Sequence, residues 1–213
     1  MTKRNYFSPV RSAAANQKRE QIIEAVLTLL RDEPNFAVIS LDAVAKTAKV
    51  TRLTVYNQFG SRRGLLEAVF DYLASQGGLH QIREAAAMSN PRLGLNRLIE
   101  IFCAFWSSDE AVGRLHDTTA TDPEFAEALN ERNERRRSVI SIIVMRIAAE
   151  TGVKPCVYLD VGDLIYGLTS YAMFRMLRVG RKPEAVCRII KSACDSAIES
   201  MGSTIGETAR LNP

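Results

Sequence analysis

The stretch that decides the fold is residues 40–66, SLDAVAKTAKVTRLTVYNQFGSRRGLL. Ser40 precedes a short run of helix-forming residues, and its side chain is of the kind that caps a helix N-terminus. Thr51 offers a second cap a few residues later, and Gly60 is suited to end that segment in the left-handed conformation. Two short helices joined by a tight connection predict a helix-turn-helix, whose second helix is of a size to enter a DNA major groove.

Helical periodicity continues on both sides of this stretch. Apolar residues form a stripe between residues 16 and 31, and another begins at Leu65 and runs toward Gly77. Pro91, Pro123 and Pro183 are placed to begin later helices. With no sustained alternating pattern, the sequence predicts an all-α fold of about nine helices, with an N-terminal three-helix helix-turn-helix domain followed by a larger helical domain.

The charge is concentrated at the N-terminal end. The formal net charge of the whole chain is only +4, but residues 1–64 contain 11 Lys and Arg against 5 Asp and Glu. The remaining residues contain 17 against 19. The net charge is therefore +6 over residues 1–64, which we call the head, and −2 over the rest of the chain. We therefore expect any polyanionic partner to meet the head.

Other functional classes find little support in the sequence. No apolar run approaches the roughly 18 residues of a transmembrane helix, and no signal peptide is apparent, so we expect a cytoplasmic protein without membrane contact. The four cysteines show no CxxC pairing and are expected to be reduced. No nucleophile with a matching base, HxxxH spacing or phosphate loop is present; we expect no catalytic residues, no metal site, no cofactor and no enzymatic activity.

Helical spacing selects the residues of the second short helix that could face DNA. Val55 and Phe59 can point into a small core, whereas one opposite face is shared by Arg52, Leu53, Tyr56 and Asn57. Arg62 and Arg63, at the start of the next helix, add positive charge where backbone donors already favour phosphate. We predict base readout by Arg52, Leu53 and Asn57, and backbone positioning by Ser40, Thr51, Thr54, Tyr56, Arg62 and Arg63.

The run from Leu41 to Arg62, followed by Leu65-Leu66, resembles the N-terminal domain of TetR-family transcriptional regulators. Its specific part extends from Ile22 to Phe70. The resemblance implies phosphate-backbone contacts by Thr54, Tyr56 and Arg62. It further implies a larger domain that binds an effector and dimerises through the last two long helices, in a homodimeric, ligand-responsive repressor of a palindromic double-stranded DNA operator.

Three residues depart from the family pattern. Lys49 stands where the turn usually has glycine, so that either the turn is strained or its geometry differs. Leu53 replaces a small residue or proline and could contact a thymine methyl group. Gln58 replaces an aromatic residue or histidine, so the phosphate contact there is expected to differ.

The sequence leaves several interpretations open. We divide the chain into a flexible basic arm (1–15), a helix-turn-helix domain (16–64) linked through a helix at about 61–76, and an effector-binding and dimerisation domain (65–213).

Arg135, Arg136 and Arg137 are expected on a solvated helix face. A pocket for a small apolar or aromatic effector, or simply core, could be formed by Phe102, Phe105, Trp106, His116, Met145, Tyr166 and Phe174. An all-α small-molecule-binding protein or enzyme with a merely structural helix-turn-helix is the alternative function.

Overall fold

The computed structural model describes the backbone of residues 9–32, 39–151 and 155–208. Within these ranges every regular element is helical, and the all-α prediction is confirmed. The α-helices are α1 (Pro9–Asp32), α2 (Leu41–Thr47), α3 (Arg52–Phe59), α4 (Arg62–Gln76), α5 (Ile82–Ala87), α6 (Pro91–Ser108), α7 (Glu110–Asp117), α8 (Pro123–Thr151), α9 (Pro155–Leu168), α10 (Tyr171–Arg178) and α11 (Pro183–Thr208).

The described ranges contain eleven α-helices, where the sequence predicted about nine. Helices α5 and α7 are too short to give a recognisable apolar stripe. Leu164, Leu168 and Ala172 recur at helical spacing in the sequence, but they are divided between α9 and α10. Ser170, whose hydroxyl oxygen accepts a hydrogen bond from the backbone N–H of Met173 at 3.2 Å, caps the new helix.

The chain forms two compact units. The first comprises residues 1–72 and 114–128, and the second comprises residues 73–113 and 129–213. Residues 1–8 of the expected N-terminal arm lie outside the described residues, whereas residues 9–15 belong to α1. None of the helices described is both long and apolar enough to cross a lipid bilayer.

The core of the first unit is built from its first four helices. Ile22 and Val26 of α1, Val44 of α2, Val55 of α3 and Leu65 of α4 have no exposed surface. Burying each such side chain contributes about 1.5–3 kcal/mol. Consecutive core residues of α1 and α4 recur at the helical period, which explains why the sequence pattern located these helices.

Two polar side chains of α1 donate hydrogen bonds to the ends of the two short helices. Nε2 of Gln21 donates to the carbonyl oxygen of Ala48 at 2.8 Å, satisfying an acceptor at the end of α2. Nη1 of Arg19 donates to the carbonyl oxygen of Gln58 at 3.1 Å, and its guanidinium carbon lies 4.5 Å from the centre of the Phe59 ring. The ends of both short helices are therefore held by α1.

Arg62, at the first position of α4, connects three segments of the first unit. Its Nε donates to the carbonyl oxygen of Ile39, just before α2, at 2.9 Å, and its Nη1 forms an ion pair with Oδ2 of Asp122. The Asp122 side chain is only 8% exposed, and its Oδ1 accepts from the backbone N–H of Phe125 at 3.0 Å. The Asp122 carboxylate thus has two roles: one oxygen caps the N-terminus of α8, and the other neutralises the charge of Arg62.

The second unit is organised around α6 and α11. Helix α6 packs against α5 and α11, and α11 also packs against α9. Leu98, Ile99 and Phe105 of α6 are almost entirely buried. Nε1 of Trp106 donates to the carbonyl oxygen of Thr169 at 3.0 Å, which fixes the end of α9 against α6.

We predict that Asp122→Ala lowers the free energy of unfolding by about 2–3 kcal/mol, because it removes a helix cap and leaves a partly buried guanidinium without its carboxylate. Urea titrations followed by far-UV circular dichroism measure the change. Asp122→Asn retains a capping oxygen and should cost less than Asp122→Ala. Glu67→Gln disrupts the ion pair between Glu67 and Arg63, in which Glu67 Oε1 lies 2.8 Å from Nε, and should cost under about 0.5 kcal/mol. Equal effects of Asp122→Ala and Glu67→Gln would contradict the structural role of Asp122.

Candidate nucleic-acid interface

Hydroxyl side chains begin both short helices. The Ser40 oxygen accepts from the backbone N–H of Ala43, and the Thr51 oxygen accepts from that of Thr54, each at 3.1 Å. The hydroxyl oxygens of Thr51 and Thr54 are also hydrogen-bonded to each other at 2.8 Å. Because one hydroxyl proton satisfies that bond, the second proton can donate to a further acceptor such as a phosphate oxygen.

The outer face of α3 is exposed, as the spacing of its residues predicted. Leu53 is 66% exposed and Tyr56 is 55% exposed, and both rank among the large apolar side chains that the first unit leaves in solvent. Arg52 and Asn57 are exposed on the same helix, whereas Val55 is fully buried. This face therefore presents charged, amide, phenolic and aliphatic groups together, as a surface that reads base edges requires.

Arg52 is held by a weak contact in the free protein. Its Nη1 donates to Oδ2 of Asp42 at 3.1 Å, and both side chains are about two-thirds exposed. An ion pair this exposed is worth at most about 1 kcal/mol. The contact can orient the guanidinium, but it can be given up readily for a nucleic-acid acceptor.

The turn between α2 and α3 is strained at Lys49. Its φ angle is 52°, and among the described residues it is the only non-glycine residue with a positive φ. The backbone N–H of Val50 donates to the carbonyl oxygen of Ala45 at 2.9 Å, and that of Lys49 donates to Lys46 at 3.2 Å. This bonding pattern is a Schellman motif, in which glycine usually occupies the left-handed position. Of the two alternatives left open by the sequence, the structure shows the strained turn.

We predict that Lys49→Gly stabilises the protein by about 0.5–1 kcal/mol. Relief of the left-handed conformation yields about 1–2 kcal/mol, and the larger backbone entropy of glycine in the unfolded chain offsets part of it. Chemical denaturation measures the difference. Lys49→Ala is the matched control, because it removes the charge but keeps the Cβ atom and the strain. Stabilisation by alanine as large as that by glycine would show that charge, not backbone strain, matters at this position.

Arg62 and Arg63 both form ion pairs with carboxylates of the first unit. The Arg62 guanidinium contacts Asp122 and Ile39 as described above. Nε of Arg63 donates to Oε1 of Glu67 at 2.8 Å, and its Nη1 lies 3.6 Å from Oε2 of Glu127. Sequence reasoning missed these partners, since Asp122 lies 60 positions from Arg62. The one local signal in the sequence is Pro123, which marks a helix start immediately after Asp122.

A family model described as bacterial regulatory proteins, tetR family, matches residues 22–69. The match covers the second part of α1 from residue 22, all of α2 and α3, and the first half of α4, including the whole exposed face of α3. Residues 22–69 of this chain are thus similar to bacterial regulatory proteins of the tetR family.

A curated relative is similar to about half of this chain. The HTH-type transcriptional regulator EthR of Mycolicibacterium smegmatis is 32% identical over 111 residues, which are 51% of this chain and 51% of that protein. The chain thus spans about half the length of this curated TetR-family relative. That relative is named as a transcriptional regulator.

Solved structures of TetR regulators share the fold. A TetR transcription regulator from Haloarcula marismortui matches with a TM-score of 0.67 at 15% identity, covering 87% of this chain and 98% of that one. A TetR-like regulator from Rhodococcus sp. RHA1 matches with a TM-score of 0.62 at 16% identity, covering 83% and 93%. At this identity the likeness concerns the fold alone.

The predicted pocket residues differ in burial and do not all belong to the same unit. Phe102, Phe105, Trp106 and Phe174 are buried in the second unit. The Trp106 ring centre lies 4.8 Å from that of Phe105 and 6.2 Å from that of Phe102. Met145 is nearly half exposed on α8, and His116 belongs to the first unit. Three of the seven, Phe102, Phe105 and Trp106, therefore form an aromatic cluster, to which the half-buried Tyr166 is linked through Arg136.

The prediction that Arg136 lies on a solvated face is wrong. Its guanidinium carbon lies 4.3 Å from the Tyr166 ring centre and 5.5 Å from that of Phe102, and Nη1 donates to the Thr169 hydroxyl at 3.2 Å. Burial lowers the pKa of Arg136, and its Nε has no hydrogen-bond partner among the described residues. Consecutive helical residues point about 100° apart, so three adjacent arginines cannot share one face.

The neighbour of Arg136 behaves differently. Nε and Nη2 of Arg137 donate to the two carboxylate oxygens of Asp163 at 2.8 and 2.6 Å, joining α8 to α9. This bidentate pair raises the pKa of Arg137 and lowers that of Asp163. Of the three arginines, only Arg135 is classed as exposed.

Proposed function

We propose that this chain is a DNA-binding transcriptional regulator that acts as a homodimeric repressor on a palindromic operator. The observation that carries the proposal is the exposed outer face of α3, within a domain that matches the TetR family. In a helix-turn-helix the second helix enters the major groove, and α3 is that helix. The positive net charge of residues 1–64 supplies the sequence-independent attraction to phosphates.

Each exposed side chain of α3 has a chemical role in this proposal. Arg52 is suited to donate two hydrogen bonds to guanine, Asn57 to pair with the adenine edge, and Leu53 to contact a thymine methyl group. Backbone phosphates are contacted by Ser40, Thr51, Thr54 and Tyr56, whose hydroxyl groups can donate. Arg62 and Arg63 are also expected to contact phosphates, and their ion pairs with carboxylates of the first unit position them at the start of α4.

Footprinting on the DNA upstream of the protein's own coding region tests this function. Regulators often control adjacent genes, so we expect protection of a palindrome and an affinity that falls steeply between low and high salt as counterions are released. Binding that is flat with salt, or absent on all genomic fragments, would instead favour the small-molecule-binding alternative.

Two variants separate base readout from backbone positioning in the same assay. Arg52→Ala should lower the ratio of operator to random-DNA affinity by about tenfold, because a good base contact discriminates by roughly 1–3 kcal/mol. Tyr56→Phe, which removes only a hydroxyl, should weaken operator and random DNA alike. If Arg52→Ala weakens both DNAs equally, the base contact is refuted.

Exposed apolar side chains on α9 and α11 support dimerisation through these two helices. Leu159 and Leu164 of α9 are 53% and 52% exposed, and Ile189 of α11 is also exposed. Ile189 lies in a shallow groove along α11, lined by Arg181, Ala185, Arg188, Ile189, Ser192, Ala193 and Ser196. The small side chains allow another helix to approach closely. We assign a second copy of this chain to the groove, because α9 and α11 pack against each other and two such pairs would make a four-helix bundle.

Such a dimer would place two α3 helices on successive major grooves of a palindrome, about 34–36 Å apart. An effector that binds better to another spacing of these helices would shift the population away from DNA. We propose that this effector has an apolar or aromatic body and binds in the second unit near the Phe102, Phe105 and Trp106 cluster. Arg136, a half-buried cation whose Nε has no hydrogen-bond partner among the described residues, is suited to an acidic group on it.

We predict that Leu164→Glu combined with Ile189→Glu converts the dimer to monomers, because each carboxylate would be buried at the interface without a partner. Sedimentation velocity at micromolar concentration measures the mass. Met176→Glu is the control, since Met176 is 64% exposed on α10, outside this face. A double variant with unchanged mass and native helicity would place the interface elsewhere.

A further inference from the structure

Two thiols meet where α6 packs against α11 in the second unit. Cys103 is buried on α6 and Cys187 is half-buried on α11, and neither forms a disulfide. The two side chains line the same cavity, and their thiol groups interact through a hydrogen bond. The two sulfur atoms are therefore neighbours before any reaction occurs, although 84 positions separate the residues in the sequence.

The two thiols have different electrostatic environments. The hydrogen bond from Cys103 is the main influence that lowers the pKa of Cys187; Lys191 and Arg188 lower it further, against burial and Glu100. The same hydrogen bond and burial raise the pKa of Cys103. Lys191 is held in place by Glu100, whose Oε1 lies 2.5 Å from Nζ. Cys187 is therefore the thiolate-forming member, and Cys103 the member that keeps its proton.

A cavity gives small reagents access to the pair. Its volume is about 400 Å³, and its walls are formed by α6 and α11. It is lined by Glu100, Cys103, Ala104, Ser107, Pro183, Glu184, Cys187, Arg188 and Lys191. A hydroperoxide is small and polar enough to enter a space of this size, where the Lys191 ammonium can donate a hydrogen bond to one of its oxygen atoms.

We propose that Cys103 and Cys187 form an oxidation site for hydroperoxides that closes to an intramolecular disulfide between α6 and α11. The Cys187 thiolate attacks one peroxide oxygen, the O–O bond breaks, and Cys187 becomes a sulfenic acid while hydroxide or alkoxide leaves. The Cys103 thiol then displaces water from that sulfenic acid and forms the S–S bond. The two sulfur atoms lose two electrons and the peroxide gains them, so with hydrogen peroxide the products are one disulfide and two waters.

The other two cysteines provide internal comparisons. Cys194 lies seven residues after Cys187 on α11 but is fully buried, and burial raises its pKa to about 12. Cys156 is exposed on α9 and is not among the residues lining this cavity. Neither combines access with a neighbouring thiol in the way that Cys187 does. The proposed reaction is independent of DNA binding and can be tested without an operator.

The test treats the reduced full-length protein with a few equivalents of hydrogen peroxide, blocks remaining thiols with N-ethylmaleimide under denaturing conditions, and maps tryptic peptides by mass spectrometry. Trypsin separates Cys187 (residues 182–188) from Cys194, and Cys103 falls in residues 98–114. We expect two of four thiols to disappear and a linked peptide joining 98–114 to 182–188, about 2 Da lighter than the summed reduced peptides.

Single variants assign the two roles. Cys103→Ser should stop the reaction at a Cys187 sulfenic acid, trapped by dimedone, and Cys187→Ser should abolish both the linked peptide and the adduct. Cys194→Ser and Cys156→Ser, the matched controls, should still form the linked peptide. The proposal is overturned if the wild-type protein keeps all four thiols, or if oxidation occurs first at Cys156 and joins two chains. It is equally overturned if the dimedone adduct of Cys103→Ser lies at a cysteine other than Cys187.

Discussion

The ion pair between Arg62 and Asp122 is the interaction on which the DNA-binding unit depends most. One guanidinium holds the backbone just before α2 and the carboxylate that caps α8, while itself standing at the first turn of α4. Each group is costly to bury alone, and together they satisfy one another. The position of the helix-turn-helix relative to α4 therefore rests on a charged contact as well as on the apolar core of α1 to α4.

The contrast between Arg62 and Arg52 shows how one residue type serves two purposes. Arg62 is one-third exposed and has an almost buried partner, so its contact is strong and structural. Arg52 pairs with Asp42 where both side chains are about two-thirds exposed, so the interaction is weak and screened by salt. An arginine that reads bases must exchange its partner in the free protein for a DNA acceptor at little cost in free energy. The exposure of the pair between Arg52 and Asp42 keeps that cost small.

Helix α11 carries different chemistry on two faces. One face packs on α6 and brings Cys187 and Lys191 to the thiol cavity, and the other exposes Ile189 among small side chains. A covalent link between α6 and α11 would therefore act on the same helix that we assign to the dimer interface. Similarly, Arg136 and Arg137 are adjacent in α8 but serve different contacts, one with aromatic rings and the other with Asp163. In both helices the 3.6-residue period separates roles that are contiguous in the chain.

Much of the first unit could be predicted from the sequence, because its signals are local. Ser40 and Thr51 cap helices over three residues, the stripe of Ile22 and Val26 follows one helix, and the exposed face of α3 follows from spacing within eight residues. The left-handed turn at Lys49 was also foreseen as one of two alternatives. The roles of Arg62, Arg136 and Cys187 were decided only by tertiary structure, since their partners Asp122, Tyr166 and Cys103 lie 60, 30 and 84 positions away in the sequence. Helical periodicity fixes the direction in which a side chain points, but only packing between helices determines what it meets there.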